Sequence, residues 1–472
     1  MQDQSAVSES GEGSPERSEI YDEDGVIRSG FVARVGAAIA DGDVLFLREQ
    51  VSGLHESELG DLIESLQPDQ RSRLVRLTGD DFDFTALTEV DDAIRREIVD
   101  DLPNEKLAEG LEDLDSDDAV YILEDLDEED QEDILAKLPF TERIRLRRSL
   151  DYPEDTAGRR MQTEFVAVPP FWSVGQTIDY MREEERLPDS FSQVFVIDPT
   201  FRLLGAVDLD RILRSKREIK IEAIMRDTNR PISAEMDQEE AAQLFEQYDL
   251  LSAAVLDENN RLVGVLTIDD VVDVIQEEAE EDILRLGGVG DEELSDAVAA
   301  TVRSRFPWLM VNLATAILAS VVIGLFDATI QQMVALAILM PIVASMGGNA
   351  GTQTLTVTVR ALATKDLDIY NAARIVRREI AVGFINGVLF AFVVALLAWA
   401  WFGSGQLGVV IGIAMVINML AAGISGILLP LLLDKLNIDP AIASAVFVTT
   451  VTDVVGFFAF LGLASWWFGL VG

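Results

Sequence analysis

Five long apolar segments fill the last third of the 472-residue sequence, at about Phe306–Phe326, Gln332–Val359, Ile380–Phe402, Leu407–Leu433 and Ala441–Leu470. Each exceeds the roughly 20 residues that cross the hydrocarbon of a bilayer. One such segment could be a buried core helix, but five in succession indicate a five-helix transmembrane domain over residues 301–472. From Thr301 onward there are seven acidic and eight basic residues, a net +1, so the first 300 residues carry −47 of the total −46. A strongly acidic soluble part therefore precedes a nearly neutral membrane part. Only six of the basic residues are lysines against 31 arginines, and a carboxylate-covered surface of this kind is relieved of self-repulsion by salt. A minority of those carboxylates remain available to bind cations.

Composition excludes several classes of function. Net negative charge repels nucleic acid. The absence of cysteine and the single His55 remove disulfides, thiolate chemistry, zinc sites and histidine-based triads. His55 lies in a polar stretch and reads as solvated. No nucleophile–base pair or phosphate-binding loop stands out, so the chain does not read as an enzyme. The polar, acidic N-terminus has no apolar signal core.

Four regions precede the spans. Residues 1–29 are rich in Ser, Glu, Gly and Gln and are expected to be a disordered tail. Residues 30–150 carry a short repeat, with Leu102, Leu114, Leu126 and Leu138 at intervals of 12 and an earlier copy at Leu54–Leu66. Such units bury their apolar faces only by stacking, which predicts an all-α helical-repeat domain. Residues 151–274 contain two similar stretches, VFVIDPTFRLLGAVDLDRIL and AAVLDENNRLVGVLTIDDVV, each reading as strand, turn, strand, helix and each preceded by a helix. This pair resembles tandem CBS domains, over about 151–222 and 223–274. In GVLTIDD, Thr267 and Asp270 match the nucleotide-contacting pattern of those domains, which implies ATP as a ligand, whereas the first copy has Asp208 and Arg211 there. Residues 275–300 form an acidic linker helix.

The basic residues flanking the spans (Arg303, Arg305, Arg360, Lys365, Arg374, Arg377, Arg378 and Lys435) all fall on one side. This distribution predicts a cytosolic N-terminus and an extracytoplasmic C-terminus in the cytoplasmic membrane. Span two contains Pro341 and the run Gly347-Gly348-Asn349-Ala350-Gly351, which are expected to break its helix and free backbone carbonyls beside water. Ser345, Asn349, Thr352, Gln353, Thr354, Thr356 and Thr358 add a polar row. Close helix packing through small residues is the plainer reading of the same pattern. Span five carries Asp453, the only ionisable residue well inside any expected span, with Thr449, Thr450 and Thr452 around it. A carboxylate at that depth costs at least about 2.5–3.5 kcal/mol and usually marks an ion path. Two copies of Asp453 across a dimer axis would balance one divalent cation, and oxygen donors suit a hard ion. Mg²⁺, Mn²⁺, Co²⁺ and Ca²⁺ all remain open on these residues.

The order of domains, with the motifs MGGNAGTQTLTVTVRALA and DPAIASAVFVTTVTDVVG, resembles the MgtE family of magnesium channels. The resemblance implies a lipid-embedded homodimer that takes up Mg²⁺, with spans two and five lining the pore. It implies Asp453 as the selectivity residue, with Thr449, Thr450, Gly347, Gly348 and Asn349 beside it. It also implies that cytosolic Mg²⁺ closes the pore by bridging Asp117, Asp237, Glu239, Asp249, Asp270 and Asp273 with Glu278, Glu281 and Asp282 of the linker helix and with Asp439. Ala445-Val446 depart from a polar-plus-proline pair common in the family, and Ala361 replaces a glycine. Two other readings stay open: a secondary transporter, or one of broader divalent range, and a CBS-based membrane sensor that transports nothing.

Overall fold

The computed structural model describes residues 20–22, 25–184, 187–188, 190–226, 230–289, 298–363, 367, 372–436 and 438–469, leaving aside the side chains of 300 and 442–444. Most of the expected tail, the linker segment 290–297 and Lys365 lie outside these residues. The chain divides into two compact units, Met1–Glu278 and Ala279–Gly472.

In the first unit, order begins earlier than the expected tail boundary. Ile20 is 1% exposed in the helical core, and Tyr21 bridges Ile27. Nine short helices follow: α1 Ser29–Asp41, α2 Val44–Val51, α3 Glu56–Ser65, α4 Pro68–Thr78, α5 Asp92–Asp101, α6 Asn104–Glu112, α7 Ser116–Glu124, α8 Glu128–Lys137 and α9 Phe140–Leu150. The 12-residue repeat is visible from α5 to α9. Leu102, Leu126 and Leu138 are buried between successive helices, and Leu114 packs half-buried against the same core. Polar residues cap several of the helices; Asp127 accepts from the Glu129 and Asp130 amides at 3.1 and 3.0 Å. His55, read as solvated, is exposed and also caps α3, accepting from the Ser57 amide at 3.4 Å.

Two three-stranded sheets complete this unit. The first has β1 (Ala167–Val168), β2 (Gln193–Ile197) and β3 (Leu203–Asp208) in that order, with α10 (Val174–Glu183) and α11 (Leu209–Arg214). The second has β4 (Ile232–Ser233), β5 (Ser252–Leu256) and β6 (Leu262–Thr267), with α12 (Gln238–Tyr248) and α13 (Ile268–Leu286). Each sheet pairs its first two strands parallel and its last two antiparallel. The register repeats as well: Gln193↔Asp208 corresponds to Ser252↔Thr267, and the irregularity at Val196/Ile197 to that at Val255/Leu256. The sheets share an apolar layer of Phe195, Ala206, Ala254, Leu256, Leu262 and Val265.

The second unit begins within α13 and contains α14 (Val298–Gly324), α15 (Asp327–Gln332), α16 (Ala335–Ala363), α17 (Ala372–Phe402), α18 (Gly405–Lys435) and α19 (Pro440–Phe468). Five of these helices are long and apolar enough to cross a membrane, and α18 is the most enclosed of them. The expected break in span two does not occur, since α16 runs unbroken through Pro341 and the glycines. The glycines instead allow close approach. An added Cβ would lie 2.5 Å from Val448 at Gly351, and 3.8 Å from Thr449 at Gly348. Small residues also bring α17 onto α18, where a Cβ on Gly408 would lie 2.6 Å from the Ala395 carbonyl. Gly408→Leu is therefore expected to force these helices apart at a cost of about 1–3 kcal/mol. A lowered melting temperature of the detergent-solubilised chain checks this; an unchanged one would mean the close approach is not needed.

Candidate functional site: a polar membrane stripe and two carboxylate clusters

Helical geometry sorts the residues of α16 onto two faces. Val343, Gly347, Gly351, Leu355 and Thr358 are buried, whereas Ser345, Asn349, Thr352, Gln353 and Thr356 are exposed along the other side. An exposed polar stripe on a membrane helix requires water or a partner to satisfy it. The hydroxyls of Thr352 and Thr356 donate to the Gly348 and Thr352 carbonyls at 3.0 Å, so their lone pairs remain free to face a cation. Beside this helix stands α19. The Thr449 and Thr450 hydroxyls donate to Val446 at 3.0 and 2.6 Å, again leaving acceptors outward. Asp453, half-buried on α19, makes no hydrogen bond or ion pair among the described residues. Gly348, Asn349, Thr449, Thr450 and Asp453 thus lie on neighbouring helices in contact. Gly347 does not join them, because it is buried against Asn418 of α18.

A second group sits in the first unit, where α7 meets the start of α13. The Asp117 carboxyl lies against that of Asp270, and Asp117 Oδ1 is buried with no hydrogen-bond partner. Burial first, and the facing acid second, push Asp117 well above the usual carboxylate range. Asp118 is pushed up to about 7 by burial and by the charges of Asp270, Asp115, Glu56 and Glu89. Asp270 is raised by burial, although the Thr267 hydroxyl, donating to it, acts in the opposite direction. Asp273 is raised by burial, Glu89 and Asp269, and lowered by Arg160. Thr267 and Asp270, matched to nucleotide contacts, are here engaged with each other.

Next to these acids a metal-free contact holds the same surfaces. Tyr121 lies between two guanidinium groups, with the Arg95 and Arg160 carbons 4.0 and 5.2 Å from its ring centre. Arg160 reaches Glu277 at 2.7 Å, and Gln238 reaches Glu278 at 2.7 Å. The other expected ligands are dispersed around α12. Asp237 caps its start, accepting from Glu239 at 3.0 Å; Glu239 accepts from Gln243 at 3.2 Å; Asp249 ends the helix in a left-handed conformation.

In the second unit, the end of α13 carries a third feature. Arg285 pairs with Glu281 and, at 2.6 Å, with Asp439, which also caps α19 by accepting from Ala441 at 2.7 Å. Asp282 is raised by burial and by Asp439. Leu286 packs on Leu355, Val359, Ala441 and Val448, at the ends of α16 and α19. Among the described residues no three His, Cys, Asp or Glu side chains converge as a ready metal cage. Mg²⁺ does not need one, since it keeps several waters and takes one or two carboxylates.

Comparison with known proteins decides the family. A family model described as a divalent cation transporter matches residues 340–463, the MgtE intracellular N domain matches 54–155, and the CBS domain matches 157–218 and 221–277. The magnesium transporter MgtE of Bacillus subtilis (strain 168) is 32% identical over 319 residues, 67% of this chain and 70% of that protein. The magnesium transporter MgtE of Thermus thermophilus is 34% identical over 316 residues, 66% of this chain and 70% of that one. The chain belongs to the MgtE family. A crystal structure of the cytosolic domain of the Mg²⁺ channel MgtE in complex with ATP is also similar, at 28% identity and a TM-score of 0.48, covering 52% of this chain and 99% of that one. As an MgtE protein the chain is a membrane-spanning transporter and not an enzyme, and the transporter match takes in Gly348, Asn349 and Asp453.

Several residues escaped the sequence reading. Asp115, Asp118, Glu56 and Glu89 join the Asp117 cluster, but nothing in so acidic a region singles them out. Arg285 stands within a run of acids and reads as their solvated neighbour. Glu379 lies inside α17 and accepts from Thr354 of α16 at 3.4 Å, so Asp453 is not the only acid within the spanning helices. Its place directly after Arg377-Arg378 made it look like a loop charge.

The raised carboxyls predict a pH dependence. A carboxyl whose pKa is raised by assembly opposes that assembly while ionised and ceases to do so once protonated. Without divalent ions, the packing of α7 on α13 is expected to be weakest above about pH 7 and to strengthen as pH falls towards the ordinary carboxylate range. Melting of the chain in divalent-free buffer should rise by several degrees between pH 8 and 6, each 1 kcal/mol being worth about 2–4 °C at this size. Asp118→Asn should reduce that rise; an equal rise in the variant counts against the cluster as its origin.

Proposed function

We propose that this MgtE protein is a Mg²⁺-selective channel of the cytoplasmic membrane, a homodimer that admits Mg²⁺ and is closed by Mg²⁺ on its cytosolic face. The observation that carries this reading is the exposed polar stripe of α16 beside the unpaired Asp453 of α19. A second copy across a two-fold axis would cover the stripe and set two Asp453 carboxylates towards one hydrated divalent ion. The oxygens around that axis suit an ion that dehydrates reluctantly and keeps its waters. The relatives named as magnesium transporters support Mg²⁺ as the substrate.

Closure follows from repulsion. Acids such as Asp117, Asp118 and Asp270 oppose close packing until a cation lies between them, so Mg²⁺ favours the compact state to the extent that it binds that state better. Basic residues beside the spans favour a cytosolic N-terminus. Glu379 favours one second reading, transport coupled to another ion; Mg²⁺ flux that persists with no Na⁺ or H⁺ gradient excludes it.

Two variants test the reading in liposomes. Asp453→Asn is expected to lower Mg²⁺ flux by about tenfold or more, equivalent to roughly 1.4 kcal/mol of lost ion stabilisation. Parental flux in a folded Asp453→Asn variant would defeat the pore assignment. Arg285→Gln removes the tethered cation from Glu281 and Asp439, and is expected to raise flux at low cytosolic Mg²⁺ while leaving closure at high Mg²⁺. Unaltered flux at low Mg²⁺ would show that this ion pair does not bias the pore.

A further inference from the structure

Asn418 is the one polar side chain of α18 enclosed completely, at 0% exposure, that reaches across to a neighbouring span. Its Nδ2 donates to the Val343 carbonyl of α16 at 2.7 Å, and its Oδ1 has no hydrogen-bond partner. Two glycines make room for the amide. An added Cβ at Gly347 of α16 would overlap Nδ2, and one at Gly456 of α19 would lie 2.7 Å from it. The Asn418 side chain therefore occupies a cleft between the two helices that carry the polar stripe and Asp453.

Stability does not account for this arrangement. A buried acceptor left unpaired is destabilising, and leucine would fill the space without that cost. The Val343 carbonyl belongs to a continuous helix, so the side-chain bond is additional to the helical one. What the bond does fix is rotation. Val343 and Gly347 lie on the buried face of α16, whose other side is the stripe of Ser345, Asn349, Thr352, Gln353 and Thr356. Successive residues on a helix are about 100° apart, so a rotation by one residue position would turn Asn349 off that side. Gly456 is one turn from Asp453, which links the phase of α19 to the same amide.

We infer that Asn418 is a positioning residue for ion selectivity, holding α16 and α19 at the rotational phase in which Asn349 and Asp453 address one passage. The inference rests on the channel reading above. The test compares Mg²⁺ and Ca²⁺ flux into liposomes for the parent, Asn418→Leu, Gly347→Ala and Asn418→Ala/Gly347→Ala, with melting temperatures measured alongside. Asn418→Leu is expected to keep or raise the melting temperature yet reduce the Mg²⁺-over-Ca²⁺ preference by about tenfold. Gly347→Ala, which displaces the amide, is expected to show the same loss. The double variant should recover melting temperature relative to Gly347→Ala without recovering selectivity. If Asn418→Leu does not fold, Gly347→Ala carries the test. Parental selectivity in folded variants, whatever their melting temperatures, overturns the inference and leaves the channel reading intact. A parent that passes no divalent cation overturns both.

Discussion

An ionised carboxylate inside an apolar helix bundle must recover its desolvation cost from somewhere, and Asp453 finds no cation among the described residues of its own chain to do so. That constraint organises the second unit. The acid stands beside threonines whose protons are committed to backbone carbonyls, so only lone pairs face outward. It also stands beside a helix on which Ser345, Asn349, Thr352, Gln353 and Thr356 lie on the side not used for packing. A chain arranged in this way presents acceptors and negative charge on neighbouring helices, which on the proposed reading suits a hard, hydrated cation. The glycines of α16 bring the two helices close enough for those acceptors to act together.

The same electrostatic problem recurs outside the membrane, with two different solutions. Around Tyr121, arginines supply the counter-charge permanently: Arg95 pairs with Asp92 at 2.6 Å and with Asp125 at 2.5 Å, and Arg160 pairs with Glu277. Beside it, Asp117 and Asp270 face each other with no such cation among the described residues; burial raises both carboxyls, and the charge of Asp270 raises Asp117 further. One contact is closed by covalently attached charge, and its neighbour carries none among the described residues.

The sequence showed most of this architecture because its periods are strong. Five apolar runs, a 12-residue helical repeat and a duplicated strand–turn–strand–helix pattern each reflect burial that repeats along the chain. Asp453 was legible for the converse reason, as an acid within an apolar run. Pro341 and the glycines misled, because the signals that break an exposed helix are tolerated in a packed membrane helix, where neighbours fill the space. Asp118, Glu89 and Arg285 were not legible, because in a chain with 83 acidic residues the few that face one another differ from the solvated rest only in three dimensions.

The two ends of α13 show what a tethered cation changes. At its start, Asp117 faces Asp270, Asp273 feels Glu89 and Asp269, and Arg160 lowers Asp273 while pairing with Glu277. At its end, Arg285 lies between Glu281 and Asp439, and Asp282 is raised by burial and by Asp439. Binding of a divalent ion recovers the most free energy where repulsion is largest and no resident cation must be displaced. On the proposed gating, that argument makes the α7–α13 cluster the stronger site of ion dependence. On the proposed gating, the α13–α19 contact, already bridged by Arg285, would retain part of its closure when the ion is withdrawn.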